Sequence, residues 1–222
     1  MLSHITADCG IKAAKETTKE TQMPFLKTVI LSLGMALAAL PAAAEKLSLG
    51  QLSNYLNTLQ QAKGAFTQIN DDGTISTGTI SLRRPGMARF DYNPPAQALV
   101  LAQGGEVAIF DRKTKQAPER YPLTNTPLSI ILAKTVDLTR SGMVTGHSYD
   151  GTSTTVRARD PNRPEIGTID LVFTSSPVEL RQWIINDDAG GKTTVILGEL
   201  DKNARLPHTV FSIRQELAKL GR

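Results

Sequence analysis

What most constrains this chain is a turn signal that recurs at short intervals. Asp71-Asp72-Gly73, Pro85-Gly86, Pro94-Pro95 and Gly104-Gly105 separate short stretches rich in β-formers. A chain broken this often cannot sustain long helices, whereas hairpins need such breaks. The expected strands are Ala65–Asn70, Thr74–Arg84, Met87–Tyr92, Gln97–Gln103 and Glu106–Asp111, with a weaker one at Gln116–Pro122. A second run comprises Met143–Tyr149, Thr154–Arg159, Ile166–Phe173, Val178–Asp187 and Lys192–Leu200. Its breaks are Asp150-Gly151, Pro161–Pro164, Ser175–Pro177 and Asp188–Gly191. Roughly eleven short, evenly spaced strands predict an antiparallel meander, either a barrel or a curved sheet.

Helices are expected at three places. Ser48 followed by Gln51 has the capping-box pattern, and Leu49, Leu52, Leu56 and Leu59 then recur at helical spacing beside Tyr55. This predicts an amphipathic helix ended by Lys63-Gly64. Between the strand runs, Thr126-Pro127 reads as an N-cap with proline at the first helical position. Leu128, Ile131 and Leu132 follow on one face, the helix should end near Lys134, and Val136 and Leu138 are candidates to continue it. Phe211–Leu220 alternates briefly and then becomes helical in pattern.

The N-terminus reads as an export signal. Lys27 supplies a positive charge, Val29 to Leu40 is apolar, and Ala42 and Ala44 flank an A-x-A cleavage position. The run is shorter than a membrane span requires. Met23 is the better start, so residues 1–22 read as an upstream extension, 23–44 as a cleaved signal peptide and 45–222 as one mature domain. The single cysteine, Cys9, lies upstream of that domain. The mature protein therefore has no thiol to lipidate or oxidise, which suits an oxidising compartment.

The formal charge of +4 is too small for a dedicated nucleic-acid binder, although Arg83, Arg84 and Arg89 lie near Phe90 and Tyr92. His147 and His208 form no ligand pair, and no G-x-S-x-G elbow or phosphate-binding glycine loop occurs. Asp91, Glu106, Asp111, Asp150, Asp170 and Asp187 are scattered, and no pair among them stands out as an acid/base couple. No metal or cofactor is expected. The informative residues are apolar. Several strands are apolar on both faces, with Leu99 and Leu101 on one and Ala98, Val100 and Ala102 on the other. Such a sheet forms either an ordinary packed core or a hydrophobic cavity under a helical lid, and the residues leave both open.

An ordered series of motifs then carries a resemblance. Phe66-Thr67-Gln68 precedes Gly78-Thr79-Ile80-Ser81-Leu82-Arg83-Arg84-Pro85-Gly86, followed by Arg89-Phe90-Asp91-Tyr92, Pro95, Leu99-Val100, Gly104-Gly105 and Val107 to Asp111. Asn125-Thr126-Pro127-Leu128, Leu180 with Trp183, Asp187 with Gly190, and Phe211 complete it. The series spans essentially all of residues 45–222 and resembles the LolA family, the periplasmic carriers of outer-membrane lipoproteins.

The resemblance implies an incomplete antiparallel β-barrel closed by a lid of short helices over a hydrophobic cavity for acyl chains. It implies acylated lipoproteins as cargo, an inner-membrane lipoprotein-releasing ABC transporter as donor, an acceptor at the outer membrane, and no catalysis. Arg84 matches the arginine of the family's Arg-Pro motif, which is associated with latching the lid. Candidate cavity and lid residues are Leu52, Leu56, Leu59, Phe66, Leu82, Phe90, Leu99, Leu101, Phe110, Leu128, Ile131, Leu132 and Trp183. One departure is Ala88, where family members often have Phe. A periplasmic binding or shuttle protein for another lipid or glycolipid on the same fold fits the series almost as well. A monomer is expected, because a symmetric interface would compete with handover surfaces.

Overall fold

The computed structural model describes residues 45–221 except Lys115; residues 1–22 and the signal segment 23–44 lie outside the described residues. Its elements run α1 (Leu49–Thr58), β1 (Gln61–Ile69), β2 (Ile75–Arg83), β3 (Met87–Tyr92), β4 (Ala98–Gln103), β5 (Glu106–Asp111) and β6 (Glu119–Pro122). After a 3₁₀ turn at Leu123–Asn125 come α2 (Ser129–Leu132), β7 (Val144–Tyr149), β8 (Ser153–Ala158), β9 (Thr168–Ser175), β10 (Val178–Asn186), β11 (Lys192–Asp201) and α3 (Ile213–Lys219).

All eleven strands form one antiparallel sheet in the order β6-β5-β4-β3-β2-β1-β11-β10-β9-β8-β7. Each run is a meander, and β1 joins the two by pairing with both β2 and β11. The sheet ends at β6 and β7 and does not close, so the barrel is incomplete. Its inner face carries Phe66, Ile80, Leu82, Ala88, Phe90, Leu171, Phe173 and Trp183, packed against α1 and α2. Phe66 stacks edge-to-face on Phe90 and Tyr92, with ring centroids 5.6 and 5.0 Å apart, and Phe90 meets Trp183 at 6.3 Å.

The capping box at Ser48 and Gln51 forms as expected. The end of α1 does not lie at Lys63-Gly64. The helix stops at Thr58, and Lys63 and Gly64 are strand residues opposite Ser81 and Ile80. Gly64 is needed there for closeness rather than for a cap, since a Cβ would lie 2.5 Å from the Glu199 carbonyl oxygen. The second helix is also shorter than expected. It also starts later than Thr126-Pro127 suggests: its N-cap is Leu128, without a side-chain cap, and Thr126 Oγ1 accepts from the Leu128 N–H at 3.2 Å in the turn before the helix. At Ala133 the backbone becomes extended, with ψ 151°, so Val136 and Leu138 do not continue the helix.

A second layer covers the outer face of one half of the sheet. The segment after β11 crosses it, burying Phe211 and Leu206 against Met87, and α3 lays Ile213 and Leu217 over Leu99, Leu101, Ala108 and Phe110. Arg89 fastens this strap by donating to the Val210 carbonyl and the Glu216 carboxylate, both at 3.1 Å.

Candidate functional site

The site forms where the β2–β3 turn meets the two lid helices. Arg84 follows the last residue of β2, and its own N–H donates to the Gln60 carbonyl at 2.8 Å, while the Gly86 N–H donates to the Leu132 carbonyl at 2.8 Å. The backbone of the turn is thereby tied to the ends of both α1 and α2.

The Arg84 side chain adds the same connection in a stronger form. Its Nε and Nη2 donate to the Ala133 carbonyl at 2.9 and 2.6 Å, and Nη1 donates to the Leu56 carbonyl. Nη2 also reaches Asn57 Oδ1 at 3.3 Å and the Lys134 carbonyl at 3.4 Å. The side chain is only 7% exposed, and no described carboxylate pairs with it. Burial lowers its pKa below the ordinary arginine value. The cation is instead solvated by carbonyls at the C-terminal ends of two helical segments, where the backbone dipole favours positive charge. Ala133 and Lys134, just past the end of the second helix, turn their carbonyls to Arg84.

Polar contacts also join the two lid segments to each other. Asn57 Nδ2 donates to the Val136 carbonyl at 2.8 Å, and Asn57 Oδ1 accepts from the Val136 N–H at 2.9 Å. Ser53 Oγ accepts from the Leu138 N–H at 2.9 Å and donates to the Leu49 carbonyl at 2.7 Å. On the far side of the lid, Arg163 donates to the Thr124 carbonyl and to Asn125 Oδ1, both at 2.9 Å. It ties the β8–β9 connection to the turn entering α2.

Beneath the lid the space is filled. Leu52, Leu56, Leu82, Phe66, Phe90, Leu128, Ile131, Leu132 and Trp183 all belong to one buried cluster. Leu52, Ile80 and Phe173 have no accessible surface, which leaves no water-sized void beside them. A 560 Å³ groove does exist on the outer face, but it is lined by Lys63, Arg89, Asp91, Asp201 and Arg205. That lining suits water and ions, not an acyl chain.

Of the thirteen apolar residues expected at the cavity and lid, the structure brings nine together. Leu59 is buried at the end of α1 but outside that cluster. Leu99, Leu101 and Phe110 are on the opposite face of the sheet, under α3. The cross-strand pairs decide this. Phe90 stands opposite Val100 and Ala88 opposite Ala102, so the small residues of β4 face inward and its leucines outward. Ala88 itself is inward-facing and fully buried. Ser53 and Asn57 were not anticipated; their signal was polar side chains one helical turn apart, flanking the leucine stripe.

Among the described residues no group of His, Asp or Glu is placed to hold a metal ion. What the geometry does is hold two helical segments over an apolar interior.

The model of the family described as "Outer membrane lipoprotein carrier protein LolA" matches residues 57–214. The outer-membrane lipoprotein carrier protein of Cupriavidus taiwanensis is 29% identical over 193 residues, covering 80% of this chain and 88% of that protein. The protein of the same description from Pseudomonas putida is 28% identical over 193 residues, covering 82% and 89%. A solved LolA superfamily protein from Nitrosomonas europaea superposes with a TM-score of 0.42 at 9% identity, over 76% of this chain and 99% of that one.

Proposed function

This chain belongs to the LolA family, and from that premise we propose that it is a periplasmic carrier that holds the acyl chains of lipoproteins under its lid. In this reading residues 23–44 are removed on export. An inner-membrane ABC transporter loads the carrier, and an acceptor at the outer membrane, either a receptor or the membrane itself, takes the cargo. The carrier works as a monomer and hydrolyses nothing.

The observation that carries this reading is Arg84, a buried cation whose acceptors come from two separate lid segments over a largely apolar interior. Loading must part those segments and expose Leu52, Leu56, Ile131 and Leu132. Each such side chain costs roughly 1.5–3 kcal/mol to expose. An acyl chain returns about 0.8 kcal/mol per methylene buried. The two quantities are of the same order, so loading exchanges one set of apolar contacts for another. Without that opposition, about 15 methylenes would favour the bound state by roughly 12 kcal/mol and release would be slow. The closed lid tempers the affinity because opening must come first.

The test is to add purified residues 45–222 to spheroplasts making a labelled outer-membrane lipoprotein. The expected result is a soluble one-to-one complex. If the label stays on the membrane while the protein takes up free lipid, the cargo is not a lipoprotein and the reading fails.

A further inference from the structure

The contacts made by Asn57 ask for a separate account, because they do not belong to the sheet or to either helix. Its carboxamide places a donor and an acceptor on the carbonyl and N–H of a single residue, Val136, at 2.8 and 2.9 Å. The side chain thus does for Val136 what a neighbouring strand would do. Val136 lies past the end of α2, is itself buried, and has no helical partner for either group. Buried backbone groups left unpaired are costly. That cost exists only while the lid is closed, since in an open lid water would satisfy the same groups.

Two neighbouring contacts place Asn57 in a unit. Its Oδ1 also faces Arg84 Nη2 at 3.3 Å, and one turn earlier Ser53 Oγ takes the Leu138 N–H at 2.9 Å. The division of labour is geometric. Arg84 holds both lid segments to the sheet, whereas Asn57 and Ser53 hold the lid segments to each other.

We infer that Asn57 is a positioning residue of the lid that sets the balance between closed and open states, acting through Val136. The inference rests on the carrier reading. Weakening the closed state raises the fraction of molecules competent to bind, so apparent affinity rises by the same factor. Removal of Asn57 therefore tightens cargo binding, the opposite of what damage to a binding surface does.

The experiment titrates wild type, Asn57→Leu and Ser53→Ala with fluorescently labelled palmitate, and records the melting temperature of each protein empty and saturated. Asn57→Leu is expected to bind about tenfold more tightly, from the loss of two hydrogen bonds, and to melt lower only when empty. Ser53→Ala moves both readouts in the same direction by less. On unmutated protein, hydrogen exchange at the Val136 amide should be slow when empty and speed up on saturation. Unchanged or weaker binding by Asn57→Leu, equal destabilisation of its empty and saturated forms, or a Val136 amide that stays protected on loading would each overturn the assignment. Should Asn57→Leu not fold, Ser53→Ala and the exchange measurement decide the matter. If the wild type takes up no palmitate at all, the carrier reading falls and this inference with it, a result distinct from failure of the variant alone.

Discussion

Arg83 and Arg84 are adjacent in sequence but fasten opposite faces of the sheet: Arg83 Nη1 donates to the Leu206 carbonyl of the outer strap, and Arg84 donates to the lid carbonyls of Leu56 and Ala133. Both stand at the end of β2, where side chains alternate between faces. One arginine therefore holds the outer layer and the other the helical layer on the inner face.

The first prediction follows from that division. Arg83→Leu should lower stability by about 1 kcal/mol, the loss of one hydrogen bond. It should leave palmitate affinity within about twofold, since its partner is remote from the lid. Denaturant midpoints and probe titration check both. A large affinity change would mean that the strap and the lid are coupled.

Gly78 gives a packing prediction. It stands opposite Phe66, and a Cβ there would lie 2.7 Å from Phe66 Cε1 and 2.3 Å from the Asp91 carbonyl oxygen. The backbone contact cannot be relieved by a rotamer change. Gly78→Ala should therefore cost about 1–3 kcal/mol. Calorimetry should show a melting temperature lower by roughly 2–4 °C per kcal/mol.

Phe110 tests whether outer packing is independent of the inner cluster under the helices. Its ring lies under α3 with Leu99 and Ile213, on the face away from the lid. Phe110→Ala should cost roughly 3–5 kcal/mol of stability. In the folded fraction its acyl-probe affinity should match wild type. A matched pair of unfolding and binding curves tests this.

Alkaline pH supplies a fourth prediction. Burial pushes the Tyr92 hydroxyl up to about 12, aided by the charge of nearby Tyr121 and opposed by its hydrogen bond to Gln68. A tyrosine whose folded pKa exceeds its unfolded value near 10 contributes stability that is complete below pH 10 and is lost as pH rises towards 12. Tyr92→Phe should remove that part of the alkaline loss, read from unfolding midpoints across this range.

The strands were legible because turn chemistry is local, and the hairpin breaks fall where Gly and Pro stand. The start of α1 was legible for the same reason. Its end was not, because Lys63-Gly64 has the composition of a helix stop, while Gly64 is required by the approach of β11. The facing of β4 was not legible either. Both of its faces are apolar, and only the presence of α3, far away in sequence, decides which one turns outward. Arg84 was singled out through the family resemblance, not through its surroundings, since nothing local distinguishes it from Arg83. Ser53 and Asn57 stayed hidden because polar residues beside an apolar helical stripe ordinarily face water.

The most direct measurement of the central claim is transfer by Arg84→Leu. Wild type and variant are loaded with labelled lipoprotein from spheroplasts and then mixed with outer-membrane vesicles. If the latch opposes loading and drives release, the variant forms the soluble complex but keeps its label when the vesicles are added. Transfer by the variant at the wild-type rate would contradict the account.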